Sequence, residues 1–153
     1  VSDINFVLDV YGEGDQIENQ LKDFAIKNNV KVNFFGVVPN DQLPKIYNQY
    51  SYYILPSYHE GMPKTLIEAM ASGCLCIGTD VPGINEIISD GVNGILARTT
   101  TSESISKALK RAVNINDKKI LIHNGISIIK ERCALGPIAQ KEFSIFKDLV
   151  DAK

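Results

Sequence analysis

The chain has 153 residues, 44% of them hydrophobic, with 16 basic against 18 acidic residues and a net charge of −2. This is the length of one domain, able to bury roughly 70% of its unfolded surface without disulfides or metals, and the even charge, without a basic block or interleaved aromatics, argues against a nucleic-acid surface. No apolar stretch approaches membrane-spanning length and no signal peptide is recognisable, so a soluble, cytoplasmic protein is expected.

Short apolar runs then alternate with helical patterns along the chain. Residues 4–11 read as a strand, Gly12-Glu13-Gly14 as the turn after it, and Asp15 as the start of a helix in which Ile17, Leu21, Phe24 and Ala25 recur at helical spacing. The turn resembles a dinucleotide fingerprint, but its third glycine position holds Ile17, and a tight strand-to-helix connection accounts for it equally well. Residues 32–35 read as the second strand, followed by the loop Gly36-Val37-Val38-Pro39, and Asn40-Asp41 can cap a helix carrying Leu43, Ile46 and Tyr47. Further strands are expected at 52–55, 75–78 and 95–96, with Asp90-Gly91 and Asn93-Gly94 as turns. From about residue 102 the pattern becomes helical, with helices expected over 102–112, 117–133 and 137–150, the last after a Gly136-Pro137 break. Crossover helices between strands imply an α/β fold, a Rossmann-like and mainly parallel sheet flanked by helices, and ligands of such sheets sit at the carboxyl ends of the strands.

One of those ends stands out. Residues 56–73 join the apolar strand at 52–55 to an apolar helix through a loop with two spaced carboxylates, Glu60 and Glu68. Pro63 suits the first helical position and Gly73 the stop, so a helix over 63–72 is expected. The first N–H groups, around Lys64, Thr65 and Leu66, would carry the positive end of the helix dipole and favour a phosphate. Glu68 lies one turn further in among Leu66, Ile67, Ala69, Met70 and Ala71, where a buried carboxylate needs donors that sugar hydroxyls could supply. Glu60 precedes the helix beside Gly61, where a backbone can approach a ligand without a side chain intervening. Taken singly, each glutamate also has an ordinary structural reading, as a dipole partner or a solvated loop residue.

Other reactive side chains point elsewhere. Cys74 and Cys76 lie two apart on a strand and face the same way into the core, no second Cys/His cluster accompanies them, and no metal is expected. His59 reads as a loop histidine and His123 as part of a helix without partners in sequence. Glu86, after Pro82-Gly83-Ile84-Asn85, could cap the next helix or hold the loop over the site, and the structural role is favoured.

The run Pro56-Ser57, then Glu60-Gly61-Met62-Pro63, then Leu66-Ile67-Glu68-Ala69-Met70-Ala71-Ser72-Gly73 resembles the donor-site signature of the family four retaining glycosyltransferases, in which two glutamates are separated by seven residues. The resemblance extends to Val10-Tyr11-Gly12-Glu13-Gly14-Asp15, Val32-Asn33-Phe34-Phe35-Gly36, Thr79-Asp80-Val81-Pro82-Gly83 and Asp90-Gly91-Val92-Asn93-Gly94, in the family's order. Such enzymes have the two-domain GT-B fold, an acceptor domain followed by a nucleotide-sugar domain. The resemblance implies that residues 1–153 are the second of these, without the acceptor domain and without its opening strand, which is followed by an Arg and a Lys that neutralise the diphosphate. Loss of that central strand would leave a gap between the strands at 4–11 and 52–55, either closed up or covered by a neighbouring chain.

The same resemblance implies a function. A hexosyl group would pass from a nucleoside diphosphate sugar, a UDP-sugar by preference, to a glycan or lipid-linked acceptor with retained configuration and no cofactor, in the synthesis of cell-surface polysaccharide such as lipopolysaccharide. Glu60 and the backbone of Gly61, Met62, Pro63 and Lys64 would orient the donor sugar, Glu68 would hold the ribose, and amides near Thr65 and Leu66 would stabilise the leaving diphosphate. Gly12 and Gly14 would border the nucleotide, and main-chain groups at Val37 and Val38 would read the base. The isolated chain is expected to bind donor weakly and to transfer little. Sugar-nucleotide epimerases and glycoside phosphorylases share the fold, and a non-catalytic nucleotide-binding module is a further alternative.

Overall fold

Helix α1 (Asp15–Lys27) joins strand β1 (Leu8–Tyr11) to strand β2 (Val32–Gly36), and the two strands pair in parallel, Leu8 opposite Val32 and Val10 opposite Phe34, before the register shifts at Tyr11. This computed structural model describes residues 6–133 together with 136, 138–140, 143, 144 and 147. The chain divides into two compact units, one ending at Lys45 and the other beginning at Ile46.

In the first unit, α1 stops where Asn28 Nδ2 donates to the Phe24 carbonyl at 2.8 Å and Asn29 takes φ +52°, a left-handed position that asparagine tolerates. Of the helical row expected here only Ala25 is buried, while Ile17, Leu21 and Phe24 are exposed. A single helix over two strands offers little surface to cover it. Tyr11 and Phe35 stack with ring centroids 4.9 Å apart.

Asn40-Asp41 forms no side-chain cap. A 3-10 turn, Asn40–Gln42, follows Pro39 and leads into the short helix α2 (Leu43–Tyr47). Pro44 explains the difference, because proline fits only the first turn of a helix and so marks the start later than Asn40.

The second unit holds most of the core. Strands β3 (Tyr52–Leu55), β4 (Leu75–Thr79) and β5 (Ile95–Ala97) form a parallel sheet in that order, with β4 central and every one of its residues buried. Burial on both faces accounts for the unbroken apolar run in β4. Leu75 and Ile77 pack with Ile95, Ala97, Ala108, Ala112 and Leu121 on one side, which brings in helices α4 (Ser102–Val113) and α5 (Lys118–Cys133). Cys74 and Cys76 point to the other, where Cys76 Sγ lies 3.9 Å from the Leu66 carbonyl of helix α3 (Lys64–Ala71). Both thiols are buried as expected. Helix α5 reaches α3 at Gly125, where an added Cβ would sit 2.9 Å from Met70 Cγ.

The parallel sheets and flanking helices are those expected from the alternation. Among the described residues β1 pairs with β2 in the first unit, and β3 with β4 in the second. Residues 4 and 5 of the first expected strand lie outside the described residues, as does much of the helix expected over 137–150. Among the described residues no helix is long and apolar enough to cross a membrane.

Candidate functional site

The loop after β3 is fixed from several sides. Ser57 Oγ donates to Glu60 Oε1 at 2.6 Å, and the Ser57 carbonyl accepts from the hydroxyl of Thr79, a fully buried residue at the end of β4. Gly83 closes on the main chain of Glu60 from the segment after β4: with φ +83°, an added Cβ would overlap the Glu60 carbonyl group. The Gly83 N–H donates to Glu86 Oε1 at 3.3 Å. Glu60 is half-buried within this frame, whereas Tyr58, His59, Gly61 and Met62 are exposed.

Pro63 sits one position earlier than expected. It is the N-cap of α3, buried, with φ −77° and ψ +77°, and Lys64 N–H donates back across it to the Met62 carbonyl at 2.9 Å. This is an inverse γ-turn. Its consequence is that the Lys64 N–H already has a protein acceptor, and the first N–H bonding into the helix is Ile67 to Pro63 at 3.1 Å. Thr65 and Leu66 remain as the first-turn amides that helix geometry leaves for a ligand.

Glu68 is exposed, which corrects the expectation of a buried carboxylate. The helix buries Leu66, Ala69 and Met70 and leaves Lys64, Thr65 and Glu68 on an open stripe, because residues three and four apart share a face. Glu68 is nevertheless partnered: the hydroxyl of the buried Tyr47 donates to Oε2 at 3.5 Å. Tyr47 meets the edge of the Tyr53 ring at 5.8 Å, and Tyr53 OH donates to Thr65 Oγ1 at 2.7 Å. Burial, followed by the Tyr53 and Glu68 charges, pushes the Tyr47 phenol well up, and burial also raises Tyr53, so both act as neutral donors. A tyrosine pair thus braces the carboxylate and the first turn of α3 from beneath.

The other expected residues lie in the first unit. Gly12, at φ +131°, donates its N–H to the Gly36 carbonyl at 2.8 Å, which draws the loops after β1 and β2 together. Gly14 is the N-cap of α1, Val37 is exposed and Val38 half-buried. The structure therefore brings Glu60, Gly61, Met62, Pro63, Lys64, Thr65, Leu66 and Glu68 together in one unit and Gly12, Gly14, Val37 and Val38 in the other, each group at the carboxyl ends of its strands.

Tyr47, Tyr53, Thr79 and Gly83 were not among the expected site residues. Ser57, three residues ahead of Glu60, had a local signal in that spacing; the others come from different strands and loops. His59 and His123 are both exposed. Among the described residues no group of three His, Cys, Asp or Glu could hold a metal. A separate open hollow of about 570 Å³, lined by Ile95, Lys110, Arg111, Ile115 and Leu121 among others, includes no residue of this loop.

Comparison with known proteins shows the family and the fold. Residues 1–114 match the family model described as "Glycosyl transferases group 1". The chain is 36% identical over 105 residues, 68% of its length, to the GtfA subunit of a UDP-N-acetylglucosamine–peptide N-acetylglucosaminyltransferase of Streptococcus pneumoniae, of which it covers 20%. It is 26% identical over 131 residues, 79% of its length, to a UDP-Gal:α-D-GlcNAc-diphosphoundecaprenol α-1,3-galactosyltransferase of Escherichia coli, of which it covers 33%. In fold it is similar to the Anabaena protein HepE, solved in complex with UDP and glucose, with TM-score 0.82 and 17% identity over 93% of this chain and 40% of that one. The chain thus spans less than half the length of each of these three proteins. With the family match running from the first strand through α4 and the fold shared throughout, the chain belongs to the group 1 glycosyl transferases and has the architecture of a GT-B half-domain.

Proposed function

We propose that these residues are the donor-binding half of a retaining glycosyltransferase that moves a hexosyl group from a UDP-sugar to an acceptor hydroxyl. The observation that carries the reading is the shared open stripe of α3, on which the Glu68 carboxylate lies one turn from the Thr65 and Leu66 amides, with Glu60 fixed by Ser57 just ahead of the helix.

In this reading the two amides and the positive end of the helix dipole receive the diphosphate, and they stabilise the charge that grows on it as the glycosidic bond breaks. Glu68 accepts hydrogen bonds from the ribose hydroxyls while Tyr47 holds it from behind. Glu60 orients the donor sugar, as do the main-chain groups of Gly61, Met62, Pro63 and Lys64. Gly12, Gly14, Val37 and Val38 serve the nucleotide from the loops after β1 and β2. Hydrogen bonds and the helix terminus carry this scheme with no metal and no cofactor. UDP is favoured because the compared proteins include a UDP-Gal transferase and a UDP complex.

The acceptor-binding residues and the cationic pair for the diphosphate belong, on this reading, to chain outside residues 1–153, so these residues alone transfer little. A saccharide carried on a lipid diphosphate, as in the name of the E. coli relative, is the proposed acceptor class, in cell-surface polysaccharide synthesis at the cytoplasmic face of a membrane. Among the described residues β1 and β3 each form one ladder, and their other edges suit pairing with further chain or with another copy.

Calorimetric titration with UDP, GDP and ADP tests the reading, with Glu68→Ala run beside the wild type after both are shown to be folded. Saturable UDP binding weakened at least about tenfold by the substitution is expected, the scale of hydrogen bonds to a charged group. Wild-type UDP binding that Glu68→Ala leaves unchanged, or no nucleotide binding by folded protein, would overturn it.

A further inference from the structure

We propose that Gly83 is a positioning residue for Glu60, and that the segment it belongs to sets where the Glu60 carboxylate meets the donor sugar. The inference rests on the donor-binding reading above and adds to it a residue that sugar and nucleotide need not touch.

Three observations converge. Gly83 is buried with φ +83°, a conformation that side chains rarely adopt, and a Cβ there would stand 2.9 Å from the Glu60 carbonyl carbon and 3.1 Å from its Cβ. Those are main-chain atoms and the root of the side chain, so the strain cannot be relieved by turning a flexible end. The segment is also rigidly seated: Ile84 and Ile88 are 0% and 1% exposed, and Ile84 packs on Gly78 of β4. Finally, the same strand end grips the loop a second time, through the Thr79 hydroxyl on the Ser57 carbonyl, and Ser57 holds Glu60 Oε1. Glu60 is therefore located by β4 and the segment after that strand as well as by Ser57 of its own loop.

A sugar-orienting carboxylate displaced by a few tenths of an ångström loses hydrogen bonds to hydroxyls, while groups on α3 that receive the diphosphate and ribose do not move. The consequence is selective. Gly83→Ala is expected to reduce the advantage of a UDP-sugar over UDP, and to leave UDP itself bound as before.

The test uses Gly83→Ala and, as a milder variant that leaves the main chain free of strain, Ser57→Ala. Without ligand, backbone amide resonances of Glu60 and Gly61 should move in Gly83→Ala while those of β5 stay in place. With ligand, UDP is titrated beside UDP-glucose, UDP-galactose and UDP-N-acetylglucosamine. The sugar that binds more tightly than UDP to the wild type should lose about tenfold of that advantage in each variant, and neither variant should lose more in a Glu60→Ala background. Amide shifts confined to residues 81–86, equal losses for UDP and UDP-sugar, or losses undiminished in the Glu60→Ala background would each overturn the proposal. A wild type that binds UDP but gains nothing from any sugar would overturn it too, with the nucleotide reading left standing; a wild type that binds no nucleotide fails the donor-binding reading itself, and the amide shifts still decide whether Gly83 locates Glu60.

Discussion

Glu68 depends on a neighbour that no local spacing points to. Tyr47 lies 21 residues earlier, at the end of a different helix, and its hydroxyl reaches Glu68 only because α2 and β3 deliver two tyrosines beneath α3. These phenols share a property with the thiols behind them. Burial pushes Cys74 up to about 11 and raises Cys76, Tyr47 and Tyr53 above their ordinary values of 9 for thiols and 10 for phenols. The folded chain therefore keeps protons that the unfolded chain releases, and the stability this confers is complete below pH 9 and falls as pH rises through the folded values. The melting temperature should accordingly be level from pH 7.5 to about 9 and fall steadily toward pH 11, with the earliest part of the fall reduced in Cys74→Ala. A melting temperature unchanged through pH 10 would contradict the assignment.

At the scale of elements, the helices differ in how they begin. Helix α4 has a side-chain cap, with Thr101 Oγ1 accepting from Ser104 N–H at 3.3 Å and Glu103 paired to Lys107 one turn on. Helix α3 has none: Pro63 commits the Lys64 N–H to a γ-turn, and the next two amides are left open toward the loop. Helix α1 likewise begins without a side-chain cap, at Gly14, so the γ-turn and not the missing cap distinguishes the start of α3. Thr101→Ala should cost about 1 kcal/mol in urea unfolding, the usual worth of such a cap, without changing UDP affinity. A loss of UDP affinity beyond the loss of folded protein would mean that α4 takes part in the site. The element boundaries were largely legible in the residues, since Gly73 and Pro63 bracket α3 to within one position and the apolar runs mark β3, β4 and β5. The 3-10 turn at Asn40 was not, because Pro44 overrides two good capping residues.

For the whole molecule, burial is unequally divided. Among the described residues, Ala25 is the one buried hydrophobic residue of the first unit, and the others, from Tyr47 to Ile129, belong to the second. Backbone bonds in a region with so little buried apolar surface open at lower free energy than those of a buried central strand. Native-state hydrogen exchange should find the β4 amides protected to the level of global unfolding and those of β1 and β2 exchanging through a smaller opening, at least about tenfold faster. Equal protection in β2 and β4 would mean that the two units unfold as one. Strand order is where sequence reading ran out: apolar runs mark β3, β4 and β5 as strands, but not that β4 is the central one.

The order of residues by itself determined the α/β alternation, the parallel strands, the paired glutamates around the start of α3 and the inward-facing thiols. Each follows from local physics: side-chain period, the fixed angle of proline, the freedom of glycine, and the distance a helix turn sets between neighbours. Only the tertiary structure decided that Glu68 is exposed and held by Tyr47, that Gly83 presses on Glu60, and that β4 is the central strand of its sheet. These are contacts between segments 20 or more residues apart or pairings of whole strands. They depend on how the chain folds back on itself, and hydrophobic spacing along the chain carries no record of which partner it will meet.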